Sequence, residues 1–459
     1  MGVEMELEKE GIGLLEEAVK RLEEGFGRLP SFSVERDWEA MKKVLMETAE
    51  RLWDNYPYFH PLYAGQMLKP GHPVANMAYM MAMWINPNNH ALDGGRASSQ
   101  MEKESVAEIA RMFGWKTHLG HLCGGGTMAN MEALWVAGSL HPDRMIVASE
   151  QAHYTHQRIS QVLKLPFRSV PTDATAKMDV NALEDVLKKE DVGTVVVTLG
   201  TTATGSVDPL DDVLELKKRY DFRIHADTAY GGYFTLVSNL EEKATRAYRA
   251  LEYVDSVAID PHKHGLQPYG CGCILFRDPA VGKLYKHDSP YTYFSSQELH
   301  LGEISLECSR AGASAVALWT TMRLFPLTKG GRFARMLEDC RRAAQELYAR
   351  LESDSRFVTA FPPELDIVIW APRGNRVSKI SQASSVLFEK AAERDLHLAL
   401  ATLPVKFFEK NLVDVQIDAE TITCLRSCLM KPEHLQWVDR IHGILREVAD
   451  ETANENEES

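Results

Sequence analysis

Between residues 32 and 53 the apolar positions Trp38, Met41, Val44, Leu45 and Leu52 recur near helical spacing behind an acidic first segment. That spacing predicts an N-terminal helical arm, placed over residues 1–60. The pattern Ser99-x-x-Glu102 predicts a capping box opening a helix along SQMEKESVAEIARMF, and Gly114 stands where a C-terminal glycine would end it. Beyond this point β-rich runs at 144–148, 194–199, 222–226, 256–259 and 273–276 alternate with helical patterns at 128–138, 180–189 and 210–220. Such alternation predicts an α/β fold over residues 61–325, a mostly parallel sheet covered by helices. In sheets of this kind the loops after the carboxyl ends of the strands carry the chemistry. After residue 324 a long helical pattern at 333–351, strand patterns near 366–370 and 421–429, and a last helix after Pro432 predict a smaller C-terminal α+β domain, 326–459. Its acidic end, ETANENEES, lacks apolar anchors and is expected to stay mobile.

Composition narrows the partners. The chain has 459 residues, 45% apolar and 25% charged, which is the ordinary globular mix. Lys and Arg number 51 against 65 Asp and Glu, a net charge of −14 with no long basic cluster, so neither nucleic acid nor an anionic membrane is expected as a partner. The longest apolar stretch, residues 77–85, falls well short of a membrane span. The first residues, MGVEMELEKEG, are acidic where a secretory signal is basic, and a cytoplasmic location is expected. Seven cysteines, at 123, 271, 273, 308, 340, 424 and 428, form an odd, scattered set that suits reduced thiols. Cys271-x-Cys273 lies near His262 and His264, but its spacing is not that of a zinc site, and no metal is expected.

Three loops hold candidate chemistry. In LCGGGTMAN (122–130) a glycine run feeds a helical pattern; the glycines would let backbone approach an anion, and the helix would offer unpaired N–H groups to a phosphate, unless the run is only a turn. In FRIHADTAYGG (222–232) an apolar run ends at Asp227, a carboxylate fit to pair with a protonated ring nitrogen beside the small Ala229, or else a helix N-cap. In SVAIDPHKHG (256–265) another run ends at His262 and Lys263; a lysine against a buried wall is expected to lose its proton more readily and attack an aldehyde. Taken alone, Lys263 reads as one more solvated charge, and the combination is what counts.

The motifs Gly125-Gly-Thr-x-Ala-Asn130, Ala152-His153-Tyr-Thr, Gly200-Thr-Thr202, Asp227-x-Ala229, His262-Lys263 and Ser309-Arg-x-Gly-Ala313 occur in a set order. In that order the chain resembles the group II pyridoxal-phosphate-dependent amino-acid decarboxylases over about residues 55–325, most of all the branch of tyrosine/aspartate decarboxylases and sphingosine-phosphate lyases. The resemblance implies an aminotransferase-like fold of type I, with residues 61–325 as the cofactor-binding domain, and a homodimer with shared active sites. It implies pyridoxal 5′-phosphate as cofactor, Lys263 as its Schiff-base lysine, Asp227 as the partner of the ring nitrogen and His153 as the ring that stacks on it. Gly125, Gly126 and Thr127 then match the phosphate cradle, Thr202 and Ala229 the ring contacts, and His262 the neighbour of the lysine. Ser309 and Arg310 match an element that completes the phosphate pocket from the other subunit, with Arg310 also a candidate for the substrate. Departures from the family pattern are Cys123-Gly124 before the Gly-Gly-Thr, Met128 in place of an acidic residue, and Glu307-Cys308 before Ser-Arg.

The implied reaction is decarboxylation of an L-amino acid to the amine and CO2 through the Lys263 Schiff base and a quinonoid intermediate. A carbon–carbon lyase, an aldehyde synthase or an aminotransferase on the same scaffold is the alternative, and an inactive binding protein of that fold the last. Tyr291 and Tyr293, between the lysine and Ser309, are candidate proton donors that otherwise pack at the subunit contact. Arg426 resembles a C-terminal arginine that meets a substrate carboxylate; its plain reading is a strand-edge charge. An aromatic or acidic amino acid is the substrate class implied, with His60, Gln66, Asn88, Asn89 and Asp93 in a region that often contributes to the pocket.

Overall fold

The computed structural model describes residues 9–286 and 300–458. Its main sheet has seven strands: β1 (Leu119–Cys123), β2 (Met145–Ser149), β3 (Phe167–Val170), β4 (Val192–Thr198), β5 (Arg223–Asp227), β6 (Ser256–Ile259) and β7 (Gly272–Phe276). Their order is β1-β7-β6-β5-β4-β2-β3. Strands β6, β5, β4, β2 and β3 pair in parallel, while β7 pairs antiparallel with both β6 and β1. β1 therefore runs in the same direction as the parallel strands, and six carboxyl ends lie along one edge. This is the expected α/β class.

The sequence explains why the centre of the sheet is parallel. β4 reads VGTVVVT and is buried at every position, as a strand covered by helices on both faces must be. The five β-rich runs and the helical patterns at 128–138, 180–189 and 210–220 all appear, displaced by a few residues at their ends. β1 gave no such signal. Its LGHLC is short and contains Gly120, where an added Cβ would lie 2.5 Å from the Ile274 carbonyl of β7, so close strand approach and not side-chain propensity fixes this pairing.

Two expectations change. The helix around residue 99 begins at Arg96 with Gly95 as N-cap, so Ser99 and Glu102 lie inside it and form no capping box. Glu102 is instead buried and accepts from Asn89 Nδ2 (2.6 Å), the Leu122 amide (2.9 Å) and Arg310 Nη1 (2.7 Å). A buried cation outcompetes a local cap for that carboxylate, and only the fold reveals it. Gly114 does follow the helix, with φ +85°. At the other end the last helix, His434–Glu458, carries the backbone of the acidic tail that the sequence reading leaves mobile; helical hydrogen bonds continue through a segment without apolar anchors.

A second, antiparallel sheet has strands β8 (Phe357–Thr359), β9 (Ile367–Pro372), β10 (Ala399–Pro404) and β11 (Thr421–Cys428) in the order β10-β11-β9-β8. The helices Arg332–Ser353 and Val377–Ala392 pack on β9 and β11, and His434–Glu458 packs on both helices, around a core that includes Leu347, Trp370, Leu425 and Ile441. A larger core joins this unit to the main sheet, with Leu199 and Val207 on one side and Leu365 and Ile367 on the other. That junction is what brings β11 to the carboxyl edge of the main sheet.

Candidate active site

Five of the six sequence motifs emerge from one edge of the main sheet and enclose a cavity of about 730 Å³. The glycine loop follows β1, His153 follows β2, Thr202 follows β4, Asp227 ends β5, and His262 and Lys263 follow β6. Gly125, Gly126, Thr127, His153, Thr202, Asp227, Ala229, His262, Lys263 and Arg426 all line this one space.

The glycine loop has a backbone that would suit an anion. Gly125 is the N-cap of the helix Gly126–Leu140 at φ +151°, a backbone state that side chains disfavour. A Cβ on Gly126 would lie 2.8 Å from Asp260 Oδ2 and 3.2 Å from Ala229 Cβ, so the glycine keeps the space open. The first-turn amides of that helix have no carbonyl one turn back to satisfy them, and the helix presents its positive end. Glu307, one of the departures from the family pattern, accepts from the Gly124 amide at 3.0 and 3.3 Å. It caps the residue before the cradle and leaves the cradle itself free.

Lys263 and Asp227 line the same cavity and feel one another's charge. Lys263 Nζ lies 3.0 Å from Asp260 Oδ2. Burial pulls the amine's pKa down, but Asp260 and Asp227 outweigh it and hold it above the ordinary lysine value. The sequence reading, which expects the buried wall to strip the proton, is corrected on this point: the wall carries two carboxylates. Asp227 is buried, which alone would raise its pKa; the His156 hydrogen bond, the Lys263 charge and the Ala229 amide outweigh burial and hold it below the ordinary carboxylate range. Asp227 is thus an ionised group inside a largely apolar wall.

Burial lowers the pKa of two histidines that line the cavity, His153 and His262. His153 keeps Nδ1 2.8 Å from Thr155 Oγ1, and burial lowers its pKa in spite of Asp227. His262 donates from Nδ1 to the Cys271 carbonyl (2.8 Å), stacks on Tyr269 with ring centroids 4.2 Å apart, and is likewise lowered by burial. Arg426 comes from β11 and reaches the opposite wall, where its partners are oxygens of neutral groups: Thr202 O (3.0 Å), Gly65 O (3.2 Å) and Gln66 Oε1 (2.7 Å). It is therefore no strand-edge charge but a buried cation at the cavity wall, with 6% of its surface exposed.

Other expected residues lie elsewhere. Ser309 is exposed and accepts from Asn88 Nδ2, and Arg310 turns inward to the Glu102 carboxylate and the Leu122 carbonyl, outside the cavity. Of the five polar residues in the segment before the glycine loop, only Gln66 lines the cavity; Asn89, for example, is committed to Glu102. Tyr291 and Tyr293 fall outside the described residues. The sequence reading missed His156 and His225 as parts of the Asp227 surroundings, and Asp260 and Tyr269 as cavity residues, because none of them carries a spacing signal.

These residues fit pyridoxal 5′-phosphate: a glycine cradle and helix N-terminus for the phosphate, an amine for the aldehyde, an ionised carboxylate for the ring nitrogen and small Ala229 beside it. Comparison with known proteins agrees. Residues 132–371 match the family model described as the pyridoxal-dependent decarboxylase conserved domain. L-tyrosine decarboxylase of Enterococcus faecium is 26% identical across 82% of this chain and 79% of its own length. A probable L-tyrosine/L-aspartate decarboxylase of Methanothermobacter thermautotrophicus is 29% identical across 56% of this chain and 70% of its own. Among solved structures, mouse CSAD superposes with a TM-score of 0.78 at 19% identity, covering 94% of this chain and 91% of that one, and so shares the fold. The chain belongs to the pyridoxal-dependent decarboxylases: it is a carboxy-lyase that uses pyridoxal 5′-phosphate to release CO2 from an amino acid.

Proposed function

We propose that the cavity decarboxylates an aromatic or acidic L-amino acid to its amine, with Lys263 holding the cofactor, Asp227 facing its ring nitrogen, His153 on the ring face and Arg426 meeting a substrate carboxylate. The single observation that carries this reading is the convergence of the Lys263 amine, the Asp227 carboxylate and the glycine cradle on one cavity. When bound, pyridoxal 5′-phosphate supplies an aldehyde and a protonated ring that takes up the electron pair left behind by CO2. Asp260 Oδ2, 3.0 Å from Lys263 Nζ, is the acceptor placed to hold the amine's proton. Asp227 keeps negative charge behind the ring nitrogen, and the neutral His153 can lie flat on the ring without adding positive charge. Met67, Leu68, Met128 and Met131 on the cavity wall limit water around the reacting carbon. The names of the relatives, tyrosine and aspartate decarboxylases, support the substrate class.

Purified enzyme incubated with each of the twenty common amino acids should release CO2 and the matching amine in equal amounts from an aromatic or an acidic one. An aldehyde or 2-oxo acid without stoichiometric amine would remove simple decarboxylation. Arg426→Ala should raise KM for that substrate more than it lowers kcat. The loss of hydrogen bonds from a charged donor is worth about 1.5–3 kcal/mol, or about 10- to 150-fold. Arg426→Lys should recover only part of this, because an ammonium lacks the planar fork that spans the three oxygens.

The homodimer implied by the resemblance has a surface to use. The helix Trp38–Leu52 has no buried residue, and Trp38, Val44, Leu45, Leu52 and Trp53 are all exposed on this arm. An apolar face of that size fits a second copy of the chain. The seven cysteines are all free, which suits the reducing cytoplasm. Among the described residues no helix is long and apolar enough to cross a membrane.

A further inference from the structure

The helix Thr155–Val162 begins two residues after His153, with Tyr154 as its N-cap, and its first turn brings a second histidine to the site from behind. His156 is fully buried, and its Nε2 lies 2.8 Å from Asp227 Oδ2. The same carboxylate oxygen accepts from Asn130 Nδ2 at 3.1 Å, while Asp227 Oδ1 accepts from the Ala229 amide at 3.1 Å. An ionised carboxylate has about four lone-pair sites. Three are taken inside the protein, two of them on Oδ2, so the remaining site is on Oδ1 and belongs to the cavity that Asp227 lines.

The proton positions are set by what lies behind. His225 is buried and stays neutral, so it has one N–H to give. Asn130 Oδ1, 2.8 Å from His225 Nε2, can only accept, which places that proton on Nε2 and makes Ser256 Oγ the donor to Nδ1 at 2.9 Å. Asn130 is thereby oriented with its amide N–H groups toward Asp227. The ionised Asp227 carboxylate can only accept, so His156 Nε2 carries the proton shared between them, while His156 Nδ1 is buried with no hydrogen-bond partner among the described residues. Two donors thus hold Oδ2, and His156 is the one whose ring has no other hydrogen-bond partner among the described residues.

We propose that His156 is a positioning residue that acts through Asp227: it anchors Oδ2, turns Oδ1 toward the cofactor's ring nitrogen, and so sets how strongly the protein prefers a ring that carries that nitrogen. His153 and His156, three residues apart along the chain, then serve the cofactor from its face and from its edge. The inference rests on the reading of Asp227 as the partner of the ring nitrogen.

The test is a ratio of affinities, measured by titrating the cofactor-free protein with pyridoxal 5′-phosphate and with its analogue in which a C–H replaces the ring nitrogen. The wild type should prefer the nitrogen-containing ring by at least about tenfold, the size of one charge-assisted hydrogen bond. His156→Leu should bring the ratio to within about twofold of unity, and His156→Gln, which restores an amide donor, should recover most of it. A general packing defect would weaken both ligands equally and leave the ratio unchanged. A wild type without the preference would overturn the reading of Asp227 itself. A wild type with the preference, shared by His156→Leu, would overturn the role of His156 alone, and so would failure of both variants to fold, since a positioning residue is not required for the fold.

Discussion

Replacing Lys263 by alanine should lower amine release by at least about 10⁴-fold and abolish covalent attachment of the cofactor. Borohydride treatment of the wild type should fix the cofactor's mass on the peptide containing Lys263, and the variant should show no such adduct. The size of the effect follows from position. Lys263 is the amine lining the cavity beside Asp260, and the nearby Lys69 is instead bonded to the Met430 carbonyl. The glycine cradle, Asp227 and His153 remain in Lys263→Ala, so the variant should still bind pyridoxal 5′-phosphate reversibly. Retention of the adduct at another lysine, or activity within about 10-fold of wild type, would sink the assignment of the amine.

Asp227→Asn should keep the shape of the site and lose its charge. The expected loss is about 10²–10³-fold in kcat, the cost of removing one preorganised electrostatic group from a water-poor site. Asp227 suits this test because the protein spends several contacts on keeping it ionised: His156, Asn130 and the Ala229 amide all donate to it. In the variant an amide N–H would face some of those donors, so the side chain would turn or displace one of them. The diagnostic measurement is cofactor affinity together with kcat. A variant with weaker affinity and unchanged kcat would mean that the carboxylate only holds the ring in place. A variant with kcat at wild-type level and unaltered affinity would remove Asp227 from the chemistry.

Much of the site was legible because motif and loop coincide. β5 and β6 are short apolar runs, and each stops at a residue with chemistry: Asp227 ends β5 and Lys263 lies four residues past β6. The glycine run before a helical pattern was equally plain, and Gly125 and Gly126 do what their lack of a side chain allows. The charge state of Lys263 was not legible, since it depends on Asp260 and Asp227 approaching the same amine from different loops. Glu102 misled for a related reason: a serine and a glutamate at capping distance look alike whether the glutamate serves its own helix or an arginine 208 residues away.

By itself the sequence determined the α/β class and the strand-end loops, because burial patterning and local turn requirements act over a few residues; Lys263, Asp227 and His153 stood out only through the ordered motifs that resemble the family. Only the tertiary structure decided that Arg426 crosses from the second sheet to the cavity wall, that Arg310 turns away to Glu102, and that His156 and Asn130 share one oxygen of Asp227. Those contacts join residues distant along the chain. Their physical cause is the need of each buried charge and each buried N–H for a partner, a need met by whichever group the packing of the two sheets brings within reach.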